Sequence, residues 1–358
     1  MENKKALIAM SGGVDSSIAA YLCSEQGFDC TGITLKLFDN DDINEPKDKA
    51  CCSLDDIEDA RQVCRSIGIP YFVYNFKDSF KENVIARFID AYEQGRTPNP
   101  CIDCNRYIKF EKLMRRAEEL DFDIVVTGHY ASVEYDEAAG RYLLKKAADL
   151  SKDQSYVLYS LTQAQLKKTY FPLGGMTKDE VRALAEKLGL INAGKHDSQD
   201  ICFVPDGDYA AFIEHYTGKA YPNGDFVDET GKVLGEHKGI IRYTVGQRKG
   251  LGLALPFPMY VKEKNLEENK VVLCKNEALF SRELIAKDIN LITVSEIKEP
   301  MRVKARVRYN QSEQPSTVTQ LDENTISVVF DEPQRAISKG QAVVLYDGDY
   351  VVGGGTII

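Results

Sequence analysis

Apolar residues run through this chain in two styles. The first half alternates short continuous apolar runs with stretches of helical period, and the last third has shorter runs parted by polar turns. Residues 5–10 form one such run, and 17–22 after them have the spacing of a helix start. The same reading predicts strands at 29–37, 70–76 and 123–129, with helices at 54–67, 80–94, 108–120 and 178–188; Gly68 stops the first of these helices. Strands alternating with helices predict an α/β fold with a doubly wound parallel sheet. Beyond about residue 206 the pattern changes: a short helix at 208–216, Gly-rich turns, and strands at 258–262, 270–274, 302–309, 325–330 and 341–346. Short strands at that spacing predict a small mixed domain and then an antiparallel β-barrel. The expected divisions are 1–205, 206–285 and 286–358.

Between the first run and the first helix lies Ser11-Gly12-Gly13-Val14-Asp15-Ser16-Ser17. Paired glycines let the backbone approach a ligand, hydroxyls add donors, and the helix start aims unpaired N–H groups at an anion. This is a phosphate cradle, and neither the Walker nor the dinucleotide spacing is present. In a doubly wound sheet ligands lie beyond the carboxyl ends of the strands, where Ser11, Leu35 and Gly128 fall.

Nine cysteines occur. Cys23, Cys30, Cys64 and Cys274 lie within apolar or helical patterns and read as small core residues. Cys101 and Cys104 follow the Pro-rich loop Thr97-Pro98-Asn99-Pro100; near a helix start and beside Arg106, Cys104 is expected as a thiolate. Cys51 and Cys52, being adjacent, are poor partners for one tetrahedral ion with that pair. Cys202, between Ile201 and Phe203, reads equally as a core thiol or a reactive one.

The hexamer Ser-Gly-Gly-Val-Asp-Ser resembles the PP-loop of the ATP pyrophosphatases. Thr97-Pro98-Asn99-Pro100 with Cys104-Asn105, Thr127-Gly128-His129-Tyr130-Ala131, Lys152-Asp153-Gln154-Ser155-Tyr156, Asp197-Ser198-Gln199 with Ile201-Cys202-Phe203, Tyr243-Thr244-Val245-Gly246-Gln247-Arg248 and Gly340-Gln341 then follow in an order that resembles the bacterial tRNA-specific 2-thiouridylases over nearly the whole length. The resemblance implies an adenine nucleotide alpha hydrolase-like domain and ATP-dependent sulfur transfer to the wobble uridine. ATP adenylates the uracil C2 oxygen, pyrophosphate leaves, and a sulfur nucleophile expels AMP. It implies an ATP site at Ala9, Met10, Ser11, Gly12, Gly13, Val14, Asp15, Ser16, Leu35 and Gly128, with Asp15 helping to hold Mg²⁺. It implies a persulfide on Cys202 and Cys104 as the nucleophile that resolves the intermediate through a transient disulfide. Asn99, Pro100 and Cys101 match the strip that meets the target base, and Lys152, Asp153, Gln154, Arg308 and Tyr309 match tRNA-contacting strips. His129 and Gln341 match single tRNA contacts. The implied partners are the anticodon stem-loop, whose target base leaves its stack, and a protein sulfur donor, either a persulfide carrier or a cysteine desulfurase.

One departure stands out: many relatives carry Asp where this chain has Cys101. Cys101, Cys104 and Cys202 make three thiols, the number that holds a [4Fe–4S] cluster with one open iron, so a persulfide relay and a cluster both stay open. Other PP-loop synthetases or amidotransferases, and a tRNA binder without catalysis, are the competing classes; the first lack a reason for paired thiols, and the second would show a damaged loop.

Net charge is −10, so composition alone does not announce a nucleic-acid binder. Basic residues alternate from Arg302 to Arg308, which suits either a phosphate-following strand face or a charge-protected sheet edge. No apolar run reaches membrane-spanning length and no signal-peptide pattern opens the chain, so the expectation is a soluble cytoplasmic protein with no membrane partner. Residues 39–50 read as an acidic loop beside the nucleotide site.

Overall fold

The computed structural model of the chain describes residues 4–39, 54–195 and 201–358. The expectations placed on residues 40–50, on Cys51 and Cys52, and on Asp197, Ser198 and Gln199 lie outside the described residues.

Strands β1 (Lys5–Ala9), β2 (Asp29–Lys36), β3 (Tyr71–Asn75) and β4 (Ile124–Thr127) pair in parallel, with a short strand at Thr169–Tyr170 added beside β4. Both faces of the sheet are covered, which is why these strands read as apolar runs. From β1, Ala6 and Ile8 enter one core with α1 (Val14–Glu25), α2 (Leu54–Ser66) and the helix Lys178–Lys187. Leu7 enters the other, beneath the helices at 77–93 and 100–119. The doubly wound sheet is thus as expected. Cys23, Cys30 and Cys64 are buried, and desolvation pushes their thiols up to about 12, 11 and 12. They stay protonated and pack as apolar groups. Gly32 is required beside one of them, because a Cβ there would come 2.5 Å from the Cys64 sulfur.

The structure departs from the sequence reading in two places. The second helix of the Leu7 face starts at Pro100, eight residues before the predicted 108: Asn99 caps it, its Oδ1 accepting from the Cys101 N–H at 3.1 Å, and Pro100 occupies the first turn, where no N–H is needed. Residues 104–112 then continue it in π-helical form. Residues 131–146, not read as structure, form a hairpin of β5 (Ala131–Asp136) and β6 (Arg141–Lys146). That hairpin adds to the C-terminal sheet, where Tyr350 pairs with Lys145.

The middle of the chain has the helix Tyr209–Thr217 and a four-stranded sheet whose order is Tyr260–Asn265, Lys270–Cys274, Gly224–Asp228, Val233–His237. The C-terminal strands are Phe280–Leu291, Met301–Arg306, Gln314–Asp322, Thr325–Arg335, Ala342–Asp347 and Tyr350–Ile357. They close into a barrel because Phe280–Leu291 pairs with Thr325–Arg335 along one part and with Tyr350–Ile357 along another. Closure leaves the ring without an edge. Met301–Arg306 lies between two partners inside the ring, so the sheet-edge reading of its basic residues fails; Arg302 makes a two-pronged contact with Asp331 at 2.8 and 2.7 Å. Among the described residues no helix is long and apolar enough to cross a membrane.

Candidate active site

The phosphate loop is held open by its own hydroxyls. Ser16 Oγ accepts from the Ser11 N–H at 3.1 Å and donates to the Gly13 carbonyl at 3.0 Å, and Ser17 Oγ donates to the same carbonyl at 3.0 Å. Gly12 has a φ of +76°, and a Cβ there would come 2.5 Å from the Asp56 carbonyl oxygen, so no other residue fits. Asp15 lies in the first turn of α1, and its Oδ1 accepts from the Tyr130 hydroxyl at 2.8 Å and from Lys178 Nζ at 2.7 Å. Lys178 is buried; the pairing keeps two charges together that neither could lose cheaply.

The strip after the helix Lys178–Lys187 docks onto the same loop. Asn192 Nδ2 donates to the Gly12 carbonyl and to Ser17 Oγ, each at 2.9 Å. Lys195 pairs with Asp56 and, at 2.8 Å, with Asp59, and reaches the Gly12 carbonyl at 3.4 Å. A peptide plane points its C=O and the next N–H in opposite directions. Holding the Gly12 carbonyl on the Asn192 side therefore turns the Gly13 N–H the other way, where among the described residues only a 3.4 Å contact with Ser11 Oγ competes for it. Lys178, Asn192 and Lys195 were missed in the sequence. The single local signal was the polar run Gly194-Lys195, and it does not name a partner.

A second latch holds the Pro-rich loop. Gln341 Nε2 donates to the carbonyls of Thr97 and Pro98 at 2.8 and 3.2 Å, and the Thr97 N–H donates to the Lys339 carbonyl at 2.8 Å. Gly340 has a φ of +90°, and a Cβ on it would press on Arg96 and Thr97. Gln341, matched to a tRNA contact, is thus engaged with protein. Replacing it by alanine removes two partly buried hydrogen bonds worth roughly 1 kcal/mol each. The expected result is about a tenfold lower kcat/KM for the RNA substrate that the resemblance implies, with KM for the implied ATP unchanged in steady-state assays that vary each substrate in turn. Beside this loop a cleft of about 200 Å³ is bordered by Arg87, Arg96, Asn99 and Asp103.

The thiols differ in exposure. Cys101 is exposed, whereas Cys104 and Cys202 are half-buried. Both half-buried thiols pack against the core on the Leu7 face. Their neighbours meet one turn of the helix at 77–93: Asp103 lies 3.4 Å from Arg87, and the Phe203 ring is 5.2 Å from that of Phe88. The expected Cys104 thiolate is overturned, since burial pushes that thiol up to about 11, with Lys109 pulling against it and Cys101 and Asp103 adding to the rise. At neutral pH it rests protonated and has to give up that proton before it can act as a nucleophile.

Other matched residues lie inside the protein. His129 is buried between Phe110 and Phe171, with Nδ1 2.6 Å from Thr127 Oγ1, and desolvation holds it neutral; its ring is not at the surface where RNA would touch it. Asp153 is buried, accepting from the N–H groups of Ala147 and Ser155, and Gln154 Oε1 accepts from the Tyr130 N–H at 2.9 Å. Arg308 donates to the carbonyls of Val245 and Ala336, each at 3.0 Å, and Tyr309 donates to the Asp153 carbonyl at 3.2 Å. These four brace one part of the chain against another. Lys152 is half-exposed, and so are Leu35's neighbour Lys36 and the loop residue Gly13, while Leu35 itself is buried.

Two implied groups were tested against the residues present. Both bonds to Asp15 fall on Oδ1, which leaves the Oδ2 side to an ion; one carboxylate oxygen with substrate phosphates and water suits Mg²⁺. For a cluster there is no such support: among the described residues no three His, Cys, Asp or Glu side chains, Cys101, Cys104 and Cys202 included, are grouped to hold a metal ion.

Three family models match successive parts of the chain. Residues 4–206 match the family model described as tRNA methyl transferase HUP domain, 210–275 the tRNA methyl transferase PRC-barrel domain, and 281–357 the Aminomethyltransferase beta-barrel domain. The chain is 53% identical to the tRNA-specific 2-thiouridylase MnmA of Clostridioides difficile, covering 99% of this chain and 98% of that protein. It is 54% identical to tRNA-specific 2-thiouridylase MnmA 1 of a Thermoanaerobacter species, with 99% and 98% covered. With the corresponding protein of Acetivibrio thermocellus it shares 51% over 100% of both chains. A phosphate loop at the end of β1, two half-buried thiols on one face, and this likeness from end to end place the chain in the tRNA-specific 2-thiouridylase family.

Proposed function

We propose that this chain is a tRNA-uridine 2-sulfurtransferase that uses ATP to replace the C2 oxygen of the wobble uridine by sulfur. The observation that carries the reading is end-to-end likeness to 2-thiouridylases in a chain whose phosphate loop and thiol pair are both intact.

The chemistry needs a leaving group first, because a uracil carbonyl oxygen departs only as a phosphate ester. The loop at 11–17 holds the β and γ phosphates of ATP, with the Gly13 N–H and the start of α1 turned toward them. Asp15 would hold Mg²⁺ there, and the ion neutralises the departing pyrophosphate. Lys178 sets the carboxylate in place. The C2 oxygen attacks the α-phosphorus and pyrophosphate leaves. The outer sulfur of a Cys202 persulfide then attacks C2 and AMP departs, leaving uracil joined to Cys202 through a sulfur–sulfur bond. Cys104 attacks the Cys202 sulfur as its proton passes to the departing 2-thiouracil; the bond to the uracil sulfur breaks, 2-thiouridine is released, and a Cys104–Cys202 disulfide remains.

Arg87 and Arg96 beside the cleft at Asn99 suit the RNA backbone next to an extruded base. The sulfur reaches Cys202 from a protein persulfide donor. Incubating the protein with ATP, a persulfide donor and unmodified tRNA is expected to yield 2-thiouridine by nucleoside mass spectrometry, with one AMP and one pyrophosphate for each. ATP cleavage without thiolated product overturns the reading.

A further inference from the structure

We propose that Cys101 is the thiol that releases Cys202 from its disulfide with Cys104 at the end of each cycle. The proposal rests on the relay set out above, in which that disulfide is the last enzyme-bound product.

The relay leaves a topological problem. The disulfide joins two half-buried residues, and a reductant in solution has poor access to it. Cys101 is exposed, and the corrected helix start places it one turn before Cys104. Residues three apart in a helix have Cα atoms about 5 Å apart, inside the roughly 4.4–6.8 Å that a disulfide requires. Had the helix begun at 108, as the apolar period predicts, no such spacing would follow.

The first turn is held firmly. Asn99 accepts the Cys101 N–H at 3.1 Å, Pro100 is buried, and the preceding carbonyls are tied by Gln341. A thiol on so constrained a turn has little freedom to lose when it closes on its neighbour.

The exchange balances. Desolvation raises the Cys101 thiol as well, so it gives up its proton as it attacks the Cys104 sulfur: a Cys101–Cys104 bond forms, the Cys104–Cys202 bond breaks, and Cys202 takes up the proton and leaves as a thiol ready for the next persulfide. No net oxidation occurs in this step. A dithiol reductant then supplies two electrons and two protons to the Cys101–Cys104 disulfide, which has one exposed partner.

The test uses the full-length protein with ATP, tRNA, a persulfide donor and dithiothreitol. First-turnover and steady-state rates are measured for wild type and Cys101→Ser, with Cys101→Ala as a second variant, and quenched samples are mapped for disulfides by mass spectrometry without reduction. The expected result is a ratio of steady-state to first-turnover rate about tenfold lower in both variants, with the Cys104–Cys202 disulfide accumulating, and a Cys101–Cys104 disulfide in wild type deprived of reductant. If the Cys104–Cys202 disulfide appears equally in all three proteins and the ratio is unchanged, the role of Cys101 is overturned while the relay stands. Continued thiolation by every protein with no Cys104–Cys202 disulfide in any sample overturns the relay and this proposal with it.

Discussion

Cys202→Ala is expected to lower 2-thiouridine formation by at least about a thousandfold, since a covalent carrier has no substitute in the chain. The loss should fall on sulfur transfer alone. Residues 11–17 and Lys178 are untouched, so release of pyrophosphate on addition of tRNA should persist for one turnover, and affinity for tRNA should stay within a few fold of wild type. Alanine also keeps Phe203 among Phe80, Phe88 and Phe212, whose rings lie 5.7, 5.2 and 5.2 Å away, so folding is not at stake. Nucleoside mass spectrometry beside a pyrophosphate assay reads the two halves separately. Wild-type thiolation by the variant would remove Cys202 from the mechanism.

Gly128→Ala is expected to act on the other half. Gly128 follows β4 and faces the phosphate loop so closely that a Cβ would come 2.7 Å from the carbonyl carbon of Asp15 and from the Ser16 nitrogen. Both are backbone atoms, so no rotamer relieves the clash; either β4 or the loop must move. Overpacking of this kind costs about 1–3 kcal/mol. The displaced loop carries the Asp15 contacts with Tyr130 and Lys178 at 2.8 and 2.7 Å. The expected outcome is a fall of about a hundredfold in kcat/KM for ATP with tRNA affinity little changed, measured by steady-state kinetics at varied ATP and by tRNA binding. A folded variant with normal KM for ATP would show that β4 does not set the loop.

The parallel sheet was legible because strands covered on both faces become unbroken apolar runs, and residues 5–10 and 123–129 could hardly be anything else in water. The phosphate loop was legible because its requirements are local: a glycine where φ is +76°, hydroxyls within a turn, and a helix start. The core cysteines were legible from their neighbours. The start of the helix at 100 was not, because its first turn is polar and Pro-rich and lacks the apolar period; capping by Asn99 was the available sign. The hairpin at 131–146 was missed because one of its strands finds its second partner at Tyr350.

What the order of residues determined by itself is whatever depends on a few consecutive positions: the strand and helix types, the cradle, the core cysteines and the departure at Cys101. Only the tertiary structure decided who holds the site together. Lys178 meets Asp15 across 163 residues, Asn192 meets Gly12 across 180, and Gln341 meets Thr97 across 244. The same holds for charge states. Arg106 and a helix start argued for a Cys104 thiolate, but the surrounding core removed the water that a thiolate needs, and the thiol rose to about 11. Solvent exclusion is a property of atoms brought together from distant parts of the chain, and no local stretch carries it.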